Sequence, residues 1–362
     1  MKIDRGISTD LEVAAEQVKA AAKSIKEAPV EFINTGSIGL NLAVSGKGRD
    51  GGWPRGRIIN LVGDGSSGKT LLALEFCAYV YHRMMGKESD LFPKVKKIRI
   101  VYDNGEMVMD FPVASMYGKD FADHIEWEHS KYVEQFGRRF TRECQEIKEG
   151  TLVIYVLDSL DSLTSEAGLE RFEEAAKKDK AEDGSYGVEK PKYLSASFFA
   201  NITSLMAGKD ITLIIISQIR SKIGVTFGEK YSRAGGKAMD FYTHCVVWLA
   251  EVEKLKKTFR GEERVYGIRT LAKVKRSKVW KPFREMELII LFDYGIDDIG
   301  TTISYLWGPK VKLLEWNGQE FKREDLVKHI EENNLQDELA EKVENWWDEI
   351  EENLKPDRIS KY

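Results

Sequence analysis

The run Gly63-Asp64-Gly65-Ser66-Ser67-Gly68-Lys69-Thr70 fits the pattern G-x-x-x-x-G-K-[ST]. It is preceded by RIINLVG, which has the make-up of a strand. It opens KTLLALEFCAYVYHRMM, where Leu72, Phe76 and Tyr79 recur at helical spacing. A glycine-rich turn in that context lets backbone N–H groups and the helix N-terminus point at phosphate oxygens. Lys69 is then placed to reach β/γ-phosphate oxygens, and Thr70 to offer its hydroxyl to Mg²⁺. The chemistry expected is binding of a nucleoside triphosphate.

Other apolar runs end in groups that suit such a ligand. Asp158 closes TLVIYVLD, where a carboxylate costs free energy unless it meets a metal or a donor. It is assigned to the Mg²⁺ shell through water, with a helix N-cap as the alternative. KIRIVYD ends at Asp103, followed by Asn104-Gly105-Glu106. One of these acids should orient the attacking water, because phosphoryl transfer is mostly positioning and electrostatics. Glu106 is the expected base and Asp103 the residue that holds the loop at the nucleotide. Gln218, after ITLIIIS, is neutral and can donate to a γ-phosphate, so the loop behind it is expected to respond to nucleotide. That loop reads QIRSKIGVTFGEKYSRAGGKAMDFY. Arg220, Ser221, Lys222, Lys230, Arg233 and Lys237 suit a phosphodiester backbone. Ile223, Val225 and Phe227 can wedge between bases, and Gly224, Gly235 and Gly236 permit close approach.

These groups need a scaffold that brings strand ends together. Short Ile/Leu/Val-rich strands alternate with helical segments from residue 57, which predicts an α/β fold with a mostly parallel sheet covered on both faces. The last strands, THCVVWLA, RVYGIRTLAKV and EMELIILF, lack intervening helices and should finish the sheet antiparallel. Residues 8–27 fit a helix with Thr9 and Glu12 as a capping box. Residues 166–190 are charge-mixed and read as a mobile loop. After Gly300 come a hairpin turning at Asn317-Gly318 and two helices, with Leu335, Leu339, Val343, Trp346, Ile350 and Leu354 as one stripe. The expected division is a helical polymerisation segment at 1–34, an ATPase core at 35–300 and a small C-terminal domain with an acidic helix at 301–362.

Composition narrows the class. The chain has 362 residues, 42% hydrophobic and 31% charged, with no apolar run near the ~20 residues that a membrane helix needs. The first residues lack the apolar core of a secretory signal. Cys77, Cys144 and Cys245 are scattered among apolar neighbours and read as buried thiols, and five histidines form no zinc-like cluster. The net charge of −4 hides segregation: residues 269–284 hold seven bases and no acid, and residues 331–352 ten acids and one base. The acidic stretch reads as a solvated face.

The Gln218 block, with its paired glycines and FY, resembles the RecA family of strand-exchange recombinases. So do INTGSIGLNLAVSG, PRGRIINLVGDGSSGKT, VLDSLDSLT, KVKRSKVWKPFRE and WNGQEFKREDLVKHIEEN. The resemblance spans roughly residues 33–345. It implies an ATPase of the cytoplasm of a bacterium or a phage-infected host, with ATP and Mg²⁺. It further implies a helical filament on single-stranded DNA that pairs with double-stranded DNA, aided by a single-strand-binding protein and a loader. Carried over by position, Gln218 is the nucleotide switch, 220–236 the second DNA-binding loop and 164–193 the place of the first. Arg276 and Lys278 match cations that reach a neighbouring subunit's ATP, and Phe241 matches a subunit-interface residue. Tyr117 is the candidate for stacking on adenine. The chain departs from the family in reading D-N-G-E for D-x-E and in carrying Arg276 for lysine. A ring motor and a non-exchanging mediator are the alternative readings.

Overall fold

The computed structural model describes residues 29–84, 92–107, 111–177, 189–221, 231–233 and 236–358. The helix expected over residues 8–27 lies outside them. Strand β1 (Phe32–Ile33) pairs with β2 (Trp53–Pro54), with α1 (Ile38–Ser45) between them. Then come β3 (Ile58–Gly63), α2 (Lys69–Met84), β4 (Lys97–Asn104), α3 (Val113–Tyr117), α4 (Lys119–His124), β5 (Ile125–Glu128), α5 (Val133–Glu146) and β6 (Thr151–Asp158). Next are α6 (Glu166–Lys177), α7 (Glu189–Tyr193), α8 (Phe199–Met206), β7 (Ile211–Ser221), β8 (Tyr231–Arg233) and α9 (Gly236–Tyr242). The chain continues with β9 (Cys245–Phe259), β10 (Glu262–Ser277), β11 (Glu285–Leu291), β12 (Gly295–Ile296) and α10 (Asp298–Trp307). It ends in β13 (Leu313–Trp316), β14 (Gln319–Lys322), α11 (Arg323–Glu332) and α12 (Gln336–Asn353).

The central sheet runs β12-β11-β10-β9-β3-β7-β6-β4-β5, with β8 paired to β7. Its middle, from β9 through β3, β7, β6 and β4 to β5, is parallel, and β10, β11 and β12 finish it antiparallel as the sequence predicts. Strands β3, β6 and most of β7 are buried along their length, which explains their unbroken apolar runs. One face packs on α1 and α2 through Leu40, Leu72, Phe76, Ile154 and Ile216. The other packs on α5 and α8 through Phe136, Phe140, Tyr155, Phe199 and Ile215. Helix α5 buries Val133, Phe136, Gly137, Phe140 and Cys144, the i, i+3, i+4, i+7 pattern of a one-sided helix. All three cysteines are buried and free.

Three sequence expectations need correction. Residues 166–190 are not a loop throughout: Glu166–Lys177 is helical and Glu189–Tyr193 forms a further turn. In α12 the buried face is Leu339, Ala340, Val343 and Trp347, whereas Trp346 and Leu354 are exposed. The stripe rotates because α12 packs on two cores, Leu339 with Leu314, Trp316 and Leu326, and Val343 and Trp347 with the main body. The acidic helix is also no merely solvated face. Glu351 takes Lys281 at 2.8 Å and Arg284 at 2.6 Å, and Glu344 takes Arg49 at 2.8 Å. The Asn317-Gly318 turn forms as expected, both residues at positive φ (51° and 80°).

Candidate nucleotide site

Parallel strands β3, β7, β6 and β4 lie side by side and end together. Gly63 is level with Gln218, and Asp158 with Asn104. The phosphate loop, Gln218, Asp158 and Glu106 therefore converge on one crevice beyond the carboxyl ends of the sheet, where open α/β sheets bind ligands. Gly68 has φ 86°, so the motif's last glycine is required by its conformation, and a Cβ there would also press on Ile290 Cδ1 at 2.5 Å. At Gly65 a Cβ would meet nothing within 4 Å, leaving the loop open to an incoming phosphate. Ser66 adopts a positive φ of 64°. Ser67 closes the loop on itself, donating from Oγ to the Asp64 carbonyl at 2.8 Å.

Lys69 Nζ donates to the Asp64 carbonyl at 2.5 Å. Burial lowers its pKa, and Asp158, Asp64 and Glu106 oppose that shift. Thr70 Oγ1 donates to Asp158 Oδ2 at 2.7 Å, and Tyr102 OH donates to the same oxygen at 2.7 Å. Burial raises the Asp158 pKa. A hydroxyl and a carboxylate in contact beside an open loop are the hard oxygen donors that suit Mg²⁺. The two residues fit such an ion. Glu106 is held at the crevice by its own N–H to Asn104 Oδ1 at 3.0 Å and by Ser159 Oγ donating to Oε1 at 3.2 Å.

Asp103 is not a nucleotide contact. Its side chain points to the opposite face of β4 from Tyr102, is 0% exposed, and accepts from Ser130 N (2.7 Å), Ser130 Oγ (2.6 Å) and Tyr155 OH (2.9 Å). Those bonds tie β4 to the Ser130 turn and to β6, which is the loop-holding part of its expected role. Tyr117 is not an open stacking platform either. It is buried, edge-on to Phe121, and donates from OH to Glu75 Oε2 at 3.1 Å.

A cleft of about 610 Å³ opens beside Ser66, Gly68, Lys69 and Thr70. Its apolar lining combines Phe111, Pro112 and Met116 with Val265, Ile268, Ile290 and Phe292. Sequence reasoning missed these residues. The Phe111-Pro112 pair just after an acidic strand end was the available signal, while the β10 and β11 residues looked like ordinary strand. Asp161 was also missed: its Oδ2 accepts the Gln218 N–H at 2.7 Å, tying the strand end to the VLDSLD stretch.

Gln218 has an exposed side chain and leads into the antiparallel pair β7–β8, with Ile219 opposite Arg233, Arg220 opposite Ser232 and Ser221 opposite Tyr231. Residues 222–230, and with them Lys222, Ile223, Gly224, Val225, Phe227 and Lys230, lie outside the described residues, as does Gly235. Arg233 ion-pairs with Asp240 at 2.5 Å, and Gly236 and Lys237 begin α9.

Arg276 and Lys278 stand at the other end of the sheet. Arg276 is opposite Val246, Lys278 N donates to the His244 carbonyl, and His244 N donates to the Ile58 carbonyl. Ile58 begins β3 and Gly63 ends it, so Lys278 is about 16 Å from its own phosphate loop at ~3.3 Å per residue. Lys278 Nζ donates to the Phe241 carbonyl and lies 5.6 Å from the centre of that ring. Burial, with Arg276 second, lowers its pKa. The Phe241 side chain is 66% exposed.

A family model described as the RecA N-terminal domain matches residues 13–88 and 143–297. The chain belongs to the RecA family of recombinases. It is 30% identical over 311 residues to Protein RecA of a Nitratiruptor species, covering 85% of this chain and 79% of the relative. It is 30% identical over 328 residues to Protein RecA of Sulfurimonas denitrificans, covering 87% and 84%. The crystal structure of the RadB recombinase superposes with a TM-score of 0.50 at 14% identity, covering 73% of this chain and 98% of that one. That likeness concerns the fold alone.

Proposed function

We propose that the chain is a DNA-dependent ATPase that assembles as a helical filament on single-stranded DNA and exchanges strands with a homologous duplex. The observation that carries this reading is the common crevice of Gly63–Thr70, Asp158, Glu106 and Gln218, with Gln218 running directly into β7–β8. A γ-phosphate bound there lies against the start of the segment assigned to DNA.

Lys69 and the loop N–H groups hold the phosphates, and the apolar cleft takes the base. Thr70, and Asp158 through water, would hold Mg²⁺, which would supply charge neutralisation for the phosphates. Glu106 orients water for attack on the γ-phosphorus. Arg276 and Lys278, remote from their own loop, act on the ATP of the next protomer, with Phe241 beside them at the same contact. Gln218 donates to the γ-phosphate and transmits its loss to residues 220–237. Residues 1–34 serve polymerisation, 35–300 form the ATPase core, and 301–362 the C-terminal domain. A single-strand-binding protein and a loader would assist in the cytoplasm.

The test is a D-loop assay beside ATP turnover measured with and without single-stranded DNA. A recombinase yields joint molecules and DNA-stimulated turnover. Stimulated turnover without joint molecules, on a protein that coats single strands, identifies a mediator instead. Rings rather than open filaments by electron microscopy identify a motor.

A further inference from the structure

The apolar lining of the cleft comes from segments far apart in sequence, the stretch around Phe111–Met116 and the sheet strands β10 and β11 with the turn that follows β11. Phe111, Pro112 and Met116 belong to the segment ending in α3, and Phe292 and Asp293 to the turn between β11 and β12. Glu75, in the second turn of α2, lies where both segments end. Its Oε2 accepts from Tyr117 OH, next to Met116, at 3.1 Å, and from Ile296 N, just beyond the turn, at 3.2 Å. Two glycines approach this side chain closely. A Cβ on Gly295, at φ 110°, would stand 2.5 Å from Oε2, and one on Gly36 would stand 3.3 Å from Glu75 Cγ. Burial raises the Glu75 pKa, and the Ile296 N–H and the Tyr117 hydroxyl oppose the shift.

A buried acid in a core is often only a packing solution. Here both of its donors belong to the segments that form the cleft, and the helix that carries it starts at the phosphate loop. We propose that Glu75 is a positioning residue for nucleotide binding, one carboxylate oxygen setting the separation of the two segments that line the cleft. It touches no ligand itself. It acts on the base side and leaves the phosphate side to Lys69 and the loop. This rests on the reading of the apolar cleft as the base site.

The experiment measures binding of ADP and of inorganic tripolyphosphate to the full chain, and steady-state ATP turnover. In Glu75→Ala the two donors lose their acceptor, and the dissociation constant for ADP should rise about tenfold. Tripolyphosphate should bind as before. KM for ATP should rise in step with the ADP constant while kcat stays within about twofold. Glu75→Gln keeps an acceptor oxygen and should restore ADP binding to within about twofold of the parent.

Equal weakening of ADP and tripolyphosphate would overturn the proposal, because it marks a general disturbance of α2. Wild-type ADP affinity in a folded Glu75→Ala protein would overturn it as well. If Glu75→Ala does not fold, Tyr117→Phe, which removes one hydroxyl, decides: an unchanged ADP constant counts against the proposal and a rise of about threefold supports it. Should the parent protein bind tripolyphosphate as tightly as ADP, the base-site reading fails, and the role of Glu75 fails with it.

Discussion

At its carboxyl end the central sheet presents the Gly63–Thr70 loop, the exposed Gln218 and the acids Asp158 and Glu106. At its amino end, about 16 Å back along β3, it presents Arg276, Lys278 and an exposed Phe241. The first region is enclosed by its own hydrogen bonds, Thr70 to Asp158, Ser159 to Glu106 and the Gln218 N–H to Asp161. The second shows a basic pair next to a bare aromatic ring, with Lys278 desolvated beside Arg276. In the proposed reading one end holds a ligand within the protomer and the other meets something outside it. In the proposed filament a heterologous head-to-tail contact would bring the two ends together, and such a contact gives an open helix where its rotation does not close.

The comparison breaks most sharply at Lys69. Lys69→Ala should abolish measurable turnover, since losing a preorganised cation at the transferring phosphoryl group costs about 10²–10³ in rate or more. Retained turnover would place the chemistry elsewhere.

Next in size is the other end of the sheet. Arg276→Ala/Lys278→Ala should lower kcat by about 10³, the scale of a cation supplied across an interface, with ADP binding by the free protomer unchanged. A loss of ADP affinity in the free protomer would mean that these bases serve their own loop.

The two acids at the end of β4 should separate cleanly. Glu106→Gln is expected to lower kcat by about 10²–10³ with nucleotide binding intact. Asp103→Asn should instead lower stability by about 1–3 kcal/mol in urea unfolding, because the buried bonds to Ser130 and Tyr155 are disturbed, with turnover per folded molecule near normal. The reverse pattern would return the base to Asp103.

The smallest effect concerns how the acidic helix is fastened. Arg284, with Lys281, holds the Glu351 carboxyl down to about 2, below its ordinary 4.5. A depressed carboxylate stabilises the fold above its unfolded pKa, and the contribution fades as pH falls through the folded one. Glu351→Gln should therefore cost about 1 kcal/mol at pH 7, the upper end for a partly exposed pair. The gap to the parent should narrow between about pH 4.5 and pH 2. A gap that is constant across that range would mean the pair contributes nothing ionic.

The strand ends were legible because each couples a long apolar run to a polar residue that such a run does not otherwise tolerate: Asp158, Gln218 and the loop after Gly63 all announce themselves this way. The same signal misled at Asp103, because period-two alternation places neighbouring side chains on opposite faces, and only the packing tells which face carries the ligand. Tyr117 failed for a related reason. An aromatic near a site can serve the core, and its hydroxyl partner, Glu75, was invisible as a partner before the chain was folded. The apolar cleft was illegible because its walls combine residues from α3, β10 and β11 that no local pattern joins. Trp347 took the buried place assigned to Trp346 because α12 turns to meet two cores at once. The role proposed for Arg276 and Lys278 rests on resemblance, since they lie in a basic run that composition alone could not distinguish from a charged surface.

The most direct test of a site divided between protomers is complementation. Lys69→Ala and Arg276→Ala/Lys278→Ala proteins, each inactive alone and each able to assemble on single-stranded DNA, are mixed across a full range of ratios and ATP hydrolysis is measured. In an equimolar mixture roughly a quarter of head-to-tail contacts join an intact phosphate loop to intact bases. Turnover should therefore reappear, peak near equal amounts and approach about a quarter of the parent rate. Flat, baseline turnover at every ratio, with mixed filaments seen to form, would contradict the shared site.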